Sequence, residues 1–232
     1  MKLRTSRSLA SLGLAAAALL ATAGVSTDAE ARPNIRRKGG QFGVMLGGSA
    51  CIPGKAECSR DAVTDGGVSV DGDTRGSLGL GGELGYRFNQ YVFVGAAYNL
   101  GFFDTDYTTS GPSTYERGYQ NSVYGVVRPT LPVWRFDFGL GVGAGFSRQT
   151  FKWDSGDDKD YSQGFSVLLS PTIDIFVSQR IFIGAKLDML LNAHGRTCRQ
   201  RGSETSCTDT GRDDIAPVHQ MIYGIHVGGT FL

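Results

Sequence analysis

The sequence is short of the features that mark nucleic-acid binding, metal centres and helical membrane spans. Lys and Arg number 23 against 22 Asp and Glu, so the formal net charge is +1. No field of one sign points to nucleic acid. Histidine occurs three times and cysteine four. The cysteines fall in two close pairs, Cys51 with Cys58 and Cys198 with Cys207. Neither pair has C-x-x-C spacing, so no metal site is expected. Beyond the first 31 residues there is no run of 18 apolar residues. A membrane crossing there would have to use strands, because only helices and closed barrels satisfy their backbone in lipid.

What is abundant is glycine, with 34 residues in 232, and aromatic side chains, at 10%. The glycines do not recur at every third position with proline, which excludes collagen. The aromatic content is too high for a disordered glycine-rich chain. The first 31 residues read as a signal peptide. Lys2, Arg4 and Arg7 precede an apolar run from Leu9 to Ala23, and Ala29-Glu30-Ala31 is a small-x-small cleavage site. Cleavage would leave a mature chain beginning near Arg32, with an earlier cut after Ala23 as the alternative. Residues 32–40, with Arg32, Arg36, Arg37 and Lys38, are expected to form a disordered basic leader. Export permits disulfides, and local pairing within each cysteine pair is the simplest of three connectivities.

Residues 41–232 contain eight strand-like segments: 41–50, 77–88, 91–103, 121–131, 133–147, 164–177, 181–193 and 220–232. Short links follow the second, fourth and sixth: Asn89-Gln90, the stretch from Pro129 to Pro132, and Ser178-Gln179-Arg180. Long polar links follow the others, over about 51–76, 104–120, 148–163 and 194–219. Outer-membrane barrels have short periplasmic turns and longer extracellular loops. The expected fold is therefore all-β, an eight-stranded antiparallel up-and-down transmembrane barrel, with both termini in the periplasm.

Period-two alternation supports this. In the fifth segment Trp134, Phe136, Phe138, Leu140, Val142, Ala144 and Phe146 share one face. Arg135, Asp137 and a row of glycines share the other. The polar faces of all segments carry Glu83, Arg87, Arg128, Arg135, Asp137, Asp174, Lys186 and Asp188, four of each sign. A membrane barrel encloses such charges and must pair them. The glycines fit the narrow interior of an eight-stranded barrel. A soluble lipocalin-like barrel would need an apolar lumen instead. Phe93, Phe176 and Phe182 break the inward-polar rule near the turns and are candidates for a plug. Phe88, Tyr91, Trp134 and Phe231 are expected at one aromatic girdle. Phe102, Phe146, Phe151, Trp153, Phe165 and Tyr223 are expected at the other.

On this alternation, and on the last strand Met221-Ile222-Tyr223-Gly224-Ile225-His226-Val227-Gly228-Gly229-Thr230-Phe231-Leu232, the chain resembles the OmpA/OmpX-like small bacterial outer-membrane β-barrels. The resemblance implies recognition of that strand by barrel-assembly machinery. It also implies a monomer in contact with outer-membrane lipids and lipopolysaccharide, and no nucleic-acid partner. The function it implies is a structural or surface-interaction scaffold whose four extracellular loops carry a ligand or adhesion role. A small porin-like channel and a lipid A-modifying enzyme are the alternatives. No catalytic residue and no cofactor is expected: His194, His219 and His226 lack the sequence pattern of the deacylases. The acidic stretch Asp154 to Asp160 reads as a solvated loop or a divalent-cation site. Arg196, Arg199, Arg201 and Arg212 make the last loop basic, either for solubility or for lipopolysaccharide phosphates.

Overall fold

The computed structural model describes residues 35–52, 64–65, 68–71, 74–105, 108–109, 115–153, 156, 158–209 and 219–231. Twelve strands lie among them: β1 Gly39–Cys51, β2 Thr64–Asp65, β3 Val68–Asp71, β4 Thr74–Arg87, β5 Val92–Thr105, β6 Thr108–Thr109, β7 Tyr115–Val133, β8 Phe136–Trp153, β9 Lys159–Phe176, β10 Ile181–Arg201, β11 Glu204–Asp209 and β12 Gln220–Phe231. Eight of them hydrogen-bond in the cyclic order β1-β4-β5-β7-β8-β9-β10-β12, and β12 pairs back onto β1. Every pairing is antiparallel. This is the eight-stranded up-and-down barrel that the alternation predicts. Closure leaves the eight-stranded ring itself, among the described residues, without an unpaired edge, which a strand protein needs in lipid.

The burial pattern is inverted relative to a soluble protein. Val44, Leu46, Leu84, Val142, Phe146, Ile173 and Ile225 are all at least about half exposed on the outer wall. Glu83, Arg128, Asp137, Lys186 and Asp188 are buried inside. Exposed apolar patches on soluble monomers seldom exceed a few hundred Å². A continuous apolar outer wall around a polar lumen is the arrangement of a membrane-spanning barrel. Glycines at inward positions give the side chains room: a Cβ at Gly139 would stand 2.5 Å from Thr172 Oγ1 and 2.8 Å from Arg128 Cδ.

Several boundaries differ from the sequence expectation. The turn between β7 and β8 is Trp134-Arg135, not the Pro129–Pro132 stretch, and both prolines lie within β7. Both Trp134 and Arg135 therefore leave the strand positions assigned to them. Trp134 takes φ 54°, a left-handed backbone that a two-residue hairpin requires. The walls are also taller than expected. Residues 148–153, 159–163 and 194–201, expected in loops, continue the ladders of β8, β9 and β10. β11 adds a hairpin to β10, tied by the Cys198–Cys207 disulfide. Cys58 and the Cys51 side chain lie outside the described residues, as do Arg212 and the proposed signal peptide.

The basic leader is fixed from Arg36 onward. Arg36 N–H donates to Gln179 O at 2.9 Å, and Thr230 Oγ1 donates to Arg36 O at 2.9 Å. Of the expected outer-girdle aromatics, Phe151 instead points inward and is 1% exposed.

Candidate functional site: the barrel interior and its rim

The end of the barrel bearing the short turns is the turn end; the other is the loop end. Inward positions of β4, β7, β10 and β12 converge in the turn-end half. Arg128 grips the Glu83 carboxylate with both terminal nitrogens, one bond being Nη1 to Oε1 at 2.8 Å. Lys186 Nζ reaches the same carboxylate at 3.0 Å and Asp188 Oδ2 at 3.2 Å. Asp188 accepts a further bond from Ser170 Oγ. His226 Nδ1 lies 2.9 Å from Asp174 Oδ1, and its Nε2 lies 3.6 Å from Glu83 Oε1. Closer to the turns, Asp137 pairs with Arg87 at 2.6 Å and with Arg37 at 2.8 Å.

The structure thus brings together Glu83, Arg87, Arg128, Asp137, Asp174, Lys186 and Asp188 in the lumen. It does not bring in Arg135, which sits half-buried at the β7–β8 turn with its guanidinium 5.4 Å from the Trp134 ring centre. Sequence reasoning had no place for Arg37 in this network. Its only signal was position, two residues before β1, in a stretch read as solvated.

Three phenylalanines cap the turn end. Phe176 and Phe182 meet edge to face at 5.7 Å, and Phe182 lies 5.2 Å from the His226 ring. Arg128 stacks 5.1 Å over Phe93, and Arg37 stacks 5.4 Å over Phe176. All three rings are at most 2% exposed. A seam of Met45, Ala97, Tyr124, Val126, Leu168, Leu190 and Ile222 also packs inside the barrel.

The loop-end half is polar, and below its rim it is uncharged. Gln149 Nε2 donates to Gln120 Oε1 at 2.7 Å, and Gln120 Nε2 donates to Asn192 Oδ1 at 3.1 Å. Ser147 and Ser166 each donate to Asn192 Oδ1 at 2.8 Å. His194 lies between two hydroxyls, with Ser147 Oγ 2.7 Å from Nε2 and Ser162 Oγ 2.8 Å from Nδ1. Burial and the neighbouring His219 pull the His194 pKa down to about 4.

A serine beside a histidine invites a catalytic reading. The proton count opposes it. Ser147 has one hydroxyl proton, and Asn192 Oδ1 accepts it. With that proton on Asn192, His194 presents Nε2–H to Ser147 and accepts from Ser162 at Nδ1. In that tautomer it cannot take the Ser147 proton, as a general base must.

At the loop-end rim the described acids of the acidic stretch are Asp158 and Asp160. Asp160 is fully buried and accepts from Trp153 Nε1 at 2.9 Å. Arg201 reaches it at 3.2 Å and Arg199 at 3.5 Å. Asp158 lies 3.7 Å from Arg201 Nε and accepts from Gly202 N–H at 2.9 Å. Arg196 lies 3.7 Å from Asp209 in an exposed pair. Asp158 and Asp160 of the acidic stretch thus pair with Arg199 and Arg201 of the basic loop, two segments read separately in the sequence, while Asp154 and Asp157 lie outside the described residues.

Two solved outer-membrane proteins have similar structures. The crystal structure of the outer membrane protein OprG from Pseudomonas aeruginosa aligns at a TM-score of 0.49 and 14% identity, over 84% of this chain and 98% of that one. The outer membrane protease OmpT from Escherichia coli aligns at 0.43 and 10% identity, over 89% and 100%. No curated protein matches the chain. The family model described as outer membrane protein beta-barrel domain matches residues 12–189. With that match over most of its length, a closed ring of eight strands and an apolar outer wall, the chain belongs to the outer-membrane β-barrel family.

Proposed function

We propose that this outer-membrane barrel is a closed surface scaffold, with the turn end in the periplasm and the loop-end hairpins outside. The observation that carries this reading is the filling of the turn-end lumen. Glu83, Arg128, Lys186 and Asp188 occupy the interior in a paired layer, with Phe93, Phe176 and Phe182 beneath. An eight-stranded barrel has an interior just wide enough for side chains to fill. Ion pairs and rings there leave hydrated ions no evident path. The test is conductance of the purified full chain in planar bilayers. A silent protein is expected; steady single-channel steps would favour the porin-like alternative. The hydrogen-bonding of Ser147 and His194 likewise argues against a lipid A-modifying enzyme. Unchanged lipid A after overexpression is the corresponding expectation.

The scaffold would act through its extended walls. β8, β9 and β10 rise well past Phe146 and Phe165, and the Cys198–Cys207 bridge pins the β10–β11 hairpin at the tip. That rigid ridge is the candidate surface for a ligand or adhesion partner. Export by signal-peptide cleavage near Arg32, assembly through the C-terminal strand and a monomeric state complete the proposal. N-terminal sequencing of the membrane-extracted protein tests the first: a start near Arg32 is expected, and an intact Met1 would overturn it.

A further inference from the structure

In two ladders of the barrel a rung fails at a proline. Between β7 and β8, Val127 pairs with Val142 and Thr130 with Gly139, but Pro129 and Leu140 between them do not pair. Between β9 and β10, Lys186 pairs with Thr172 and Met189 with Leu169, but Pro171 and Leu187 between them do not pair. The β9–β10 turn fixes which way the backbone groups point. Val177 N–H donates to Ile181 O at 3.0 Å, so the odd-numbered residues of these two strands face each other. Pro171 has no N–H to give. The Leu187 carbonyl therefore loses its ladder donor, and no side chain among the described residues replaces it. On a lipid-facing wall such a carbonyl is costly, because hydrocarbon offers it no donor.

Beside Leu187 and Pro171 the outer wall sinks into a groove of about 870 Å³. Gly48, Ala185 and Gly224 give it a low floor, and Leu46, Tyr223 and Ile225 stand around it. Lys186 also lines it, although its side chain bonds Glu83 within the lumen, so the groove reaches down to the interrupted rung. Tyr223 is the cross-strand neighbour of both Leu187 and Gly48. Its ring covers Gly48: a Cβ there would stand 2.8 Å from Tyr223 Cζ and Oη. The groove lies in the middle of the apolar belt. Leu187 is midway along β10 between Ile181 at the turn and Ala193, which pairs with the exposed Phe165 at the belt edge.

We infer that this groove binds, from within the membrane, a neutral planar aromatic molecule carrying one O–H or N–H donor, of the phenol or indole class. Its donor meets the Leu187 carbonyl, and its ring packs on the low floor beside Tyr223. Apolar contact alone selects nothing out of lipid, because lipid tails are as apolar as the wall. The unmet carbonyl is what distinguishes this place. Depth excludes the lipids of the bilayer as its occupant, since they carry their polar groups in the headgroup layer and not in the hydrocarbon core. The same depth excludes a charged ligand. A rigid ring loses little freedom on binding, whereas an acyl chain loses much. The volume is that of a small-molecule site. The inference needs the membrane setting alone and goes beyond the scaffold reading.

The test titrates naphthol into the full folded chain in deuterated neutral detergent, read by NMR at the Leu187 carbonyl carbon. Saturating shifts are expected. The methyl ether of naphthol has the same rings and no donor, and should bind about tenfold more weakly, the scale of one hydrogen bond. Pro171→Ala returns an N–H to the rung. Naphthol should then bind no better than the ether, and the urea unfolding midpoint should rise. Pro129→Ala repairs the other rung and should leave binding unchanged. Ala185→Phe fills the floor and should abolish binding of both probes. Equal affinity for naphthol and its ether would overturn the inference. So would full naphthol binding by Pro171→Ala, an equal loss in Pro129→Ala, or shifts that grow without saturating, which mark partition into detergent only. Heat-modifiable gel mobility reports whether each variant is folded, and the comparison of the two probes on the wild-type chain decides the matter if Pro171→Ala fails to fold.

Discussion

The two halves of the lumen solve the same packing problem with different chemistry. The turn-end half holds formal charges: Glu83 between Arg128 and Lys186, Asp137 between Arg87 and Arg37. The loop-end half holds amides, hydroxyls and one neutral histidine around Asn192. Both are buried and both are densely hydrogen-bonded. They differ in what a single deletion leaves behind. Losing one neutral partner strands a dipole, at about 1–3 kcal/mol. Losing one charged partner strands an ion, at about 3–5 kcal/mol. The turn-end half is therefore the brittle one, and the loop-end half the forgiving one.

The largest effect is expected at Glu83. Glu83→Ala removes the shared partner of Arg128 and Lys186: Lys186 keeps only Asp188, and the buried Arg128 guanidinium loses its carboxylate. Stability, read from urea unfolding of the barrel in lipid, should fall by at least about 3–5 kcal/mol. A loss no larger than that of a loop-end substitution would end the distinction between the halves. The pair Arg87→Met with Asp137→Leu sharpens it. Removing both charges should cost less than Asp137→Leu alone, because Arg87 no longer remains as a buried ion without its partner. Arg37 limits the recovery, since it too loses Asp137.

The middle of the scale belongs to the loop end. Asn192→Ala takes the acceptor from Ser147, Ser166 and Gln120 together. A loss of about 1–3 kcal/mol is expected, measured in the same unfolding assay. The three hydroxyl and amide donors can turn to one another, which the buried cations around Glu83 cannot do.

The contrast also explains what could be read in the sequence. Charges at alternate positions of apolar strands stand out, so Glu83, Lys186 and Asp188 were visible as an inward set. Gln120, Gln149, Ser162 and His194 were not, because Gln, Ser and Thr with scattered Arg and Asp are also the composition of a surface loop. The ladders therefore extend past the assigned strand ends where the lumen turns neutral: 115–120, 148–153, 159–163 and 194–201. Arg135 was misplaced for another reason. Pro129 and Pro132 looked like turn formers, but the paired-strand geometry accepts them within β7, and the chain reverses two residues after Pro132 instead. The ion pairs of Asp160 with Arg199 and Arg201 join residues about 40 apart, so no local pattern announced them.

His194 offers a pH handle on the loop end. It stands beyond Leu191, above the apolar belt, and burial beside His219 lowers its pKa from 6.5 to about 4. A depressed histidine favours the folded barrel only while neutral. Its contribution is complete above pH 6.5 and is lost as pH falls from 6.5 toward 4, where the unfolded chain binds the proton first. Unfolding midpoints of the wild-type barrel should decline across that window. His194→Gln, which keeps a hydrogen-bonding group between Ser147 and Ser162, should flatten that part of the slope. An unchanged slope would show that His194 does not carry the decline and would remove this pH distinction from the turn-end half.

The smallest effect is expected at the turn that closes that half. Trp134 holds a left-handed backbone at φ 54°, which costs a non-glycine residue about 1–2 kcal/mol. Its carbonyl accepts from Arg37 Nη2 at 2.6 Å, and its ring contacts Arg135 and Phe136. Trp134→Asn relieves the backbone, because asparagine tolerates that conformation, but gives up the ring at the membrane edge. The two changes oppose, so the net shift in unfolding free energy should stay within about 1 kcal/mol. Trp134→Ala keeps the strain and loses the ring, and should be the worse of the two. If alanine equals asparagine, the backbone is not under strain there, and the ring alone explains why a tryptophan occupies a hairpin turn.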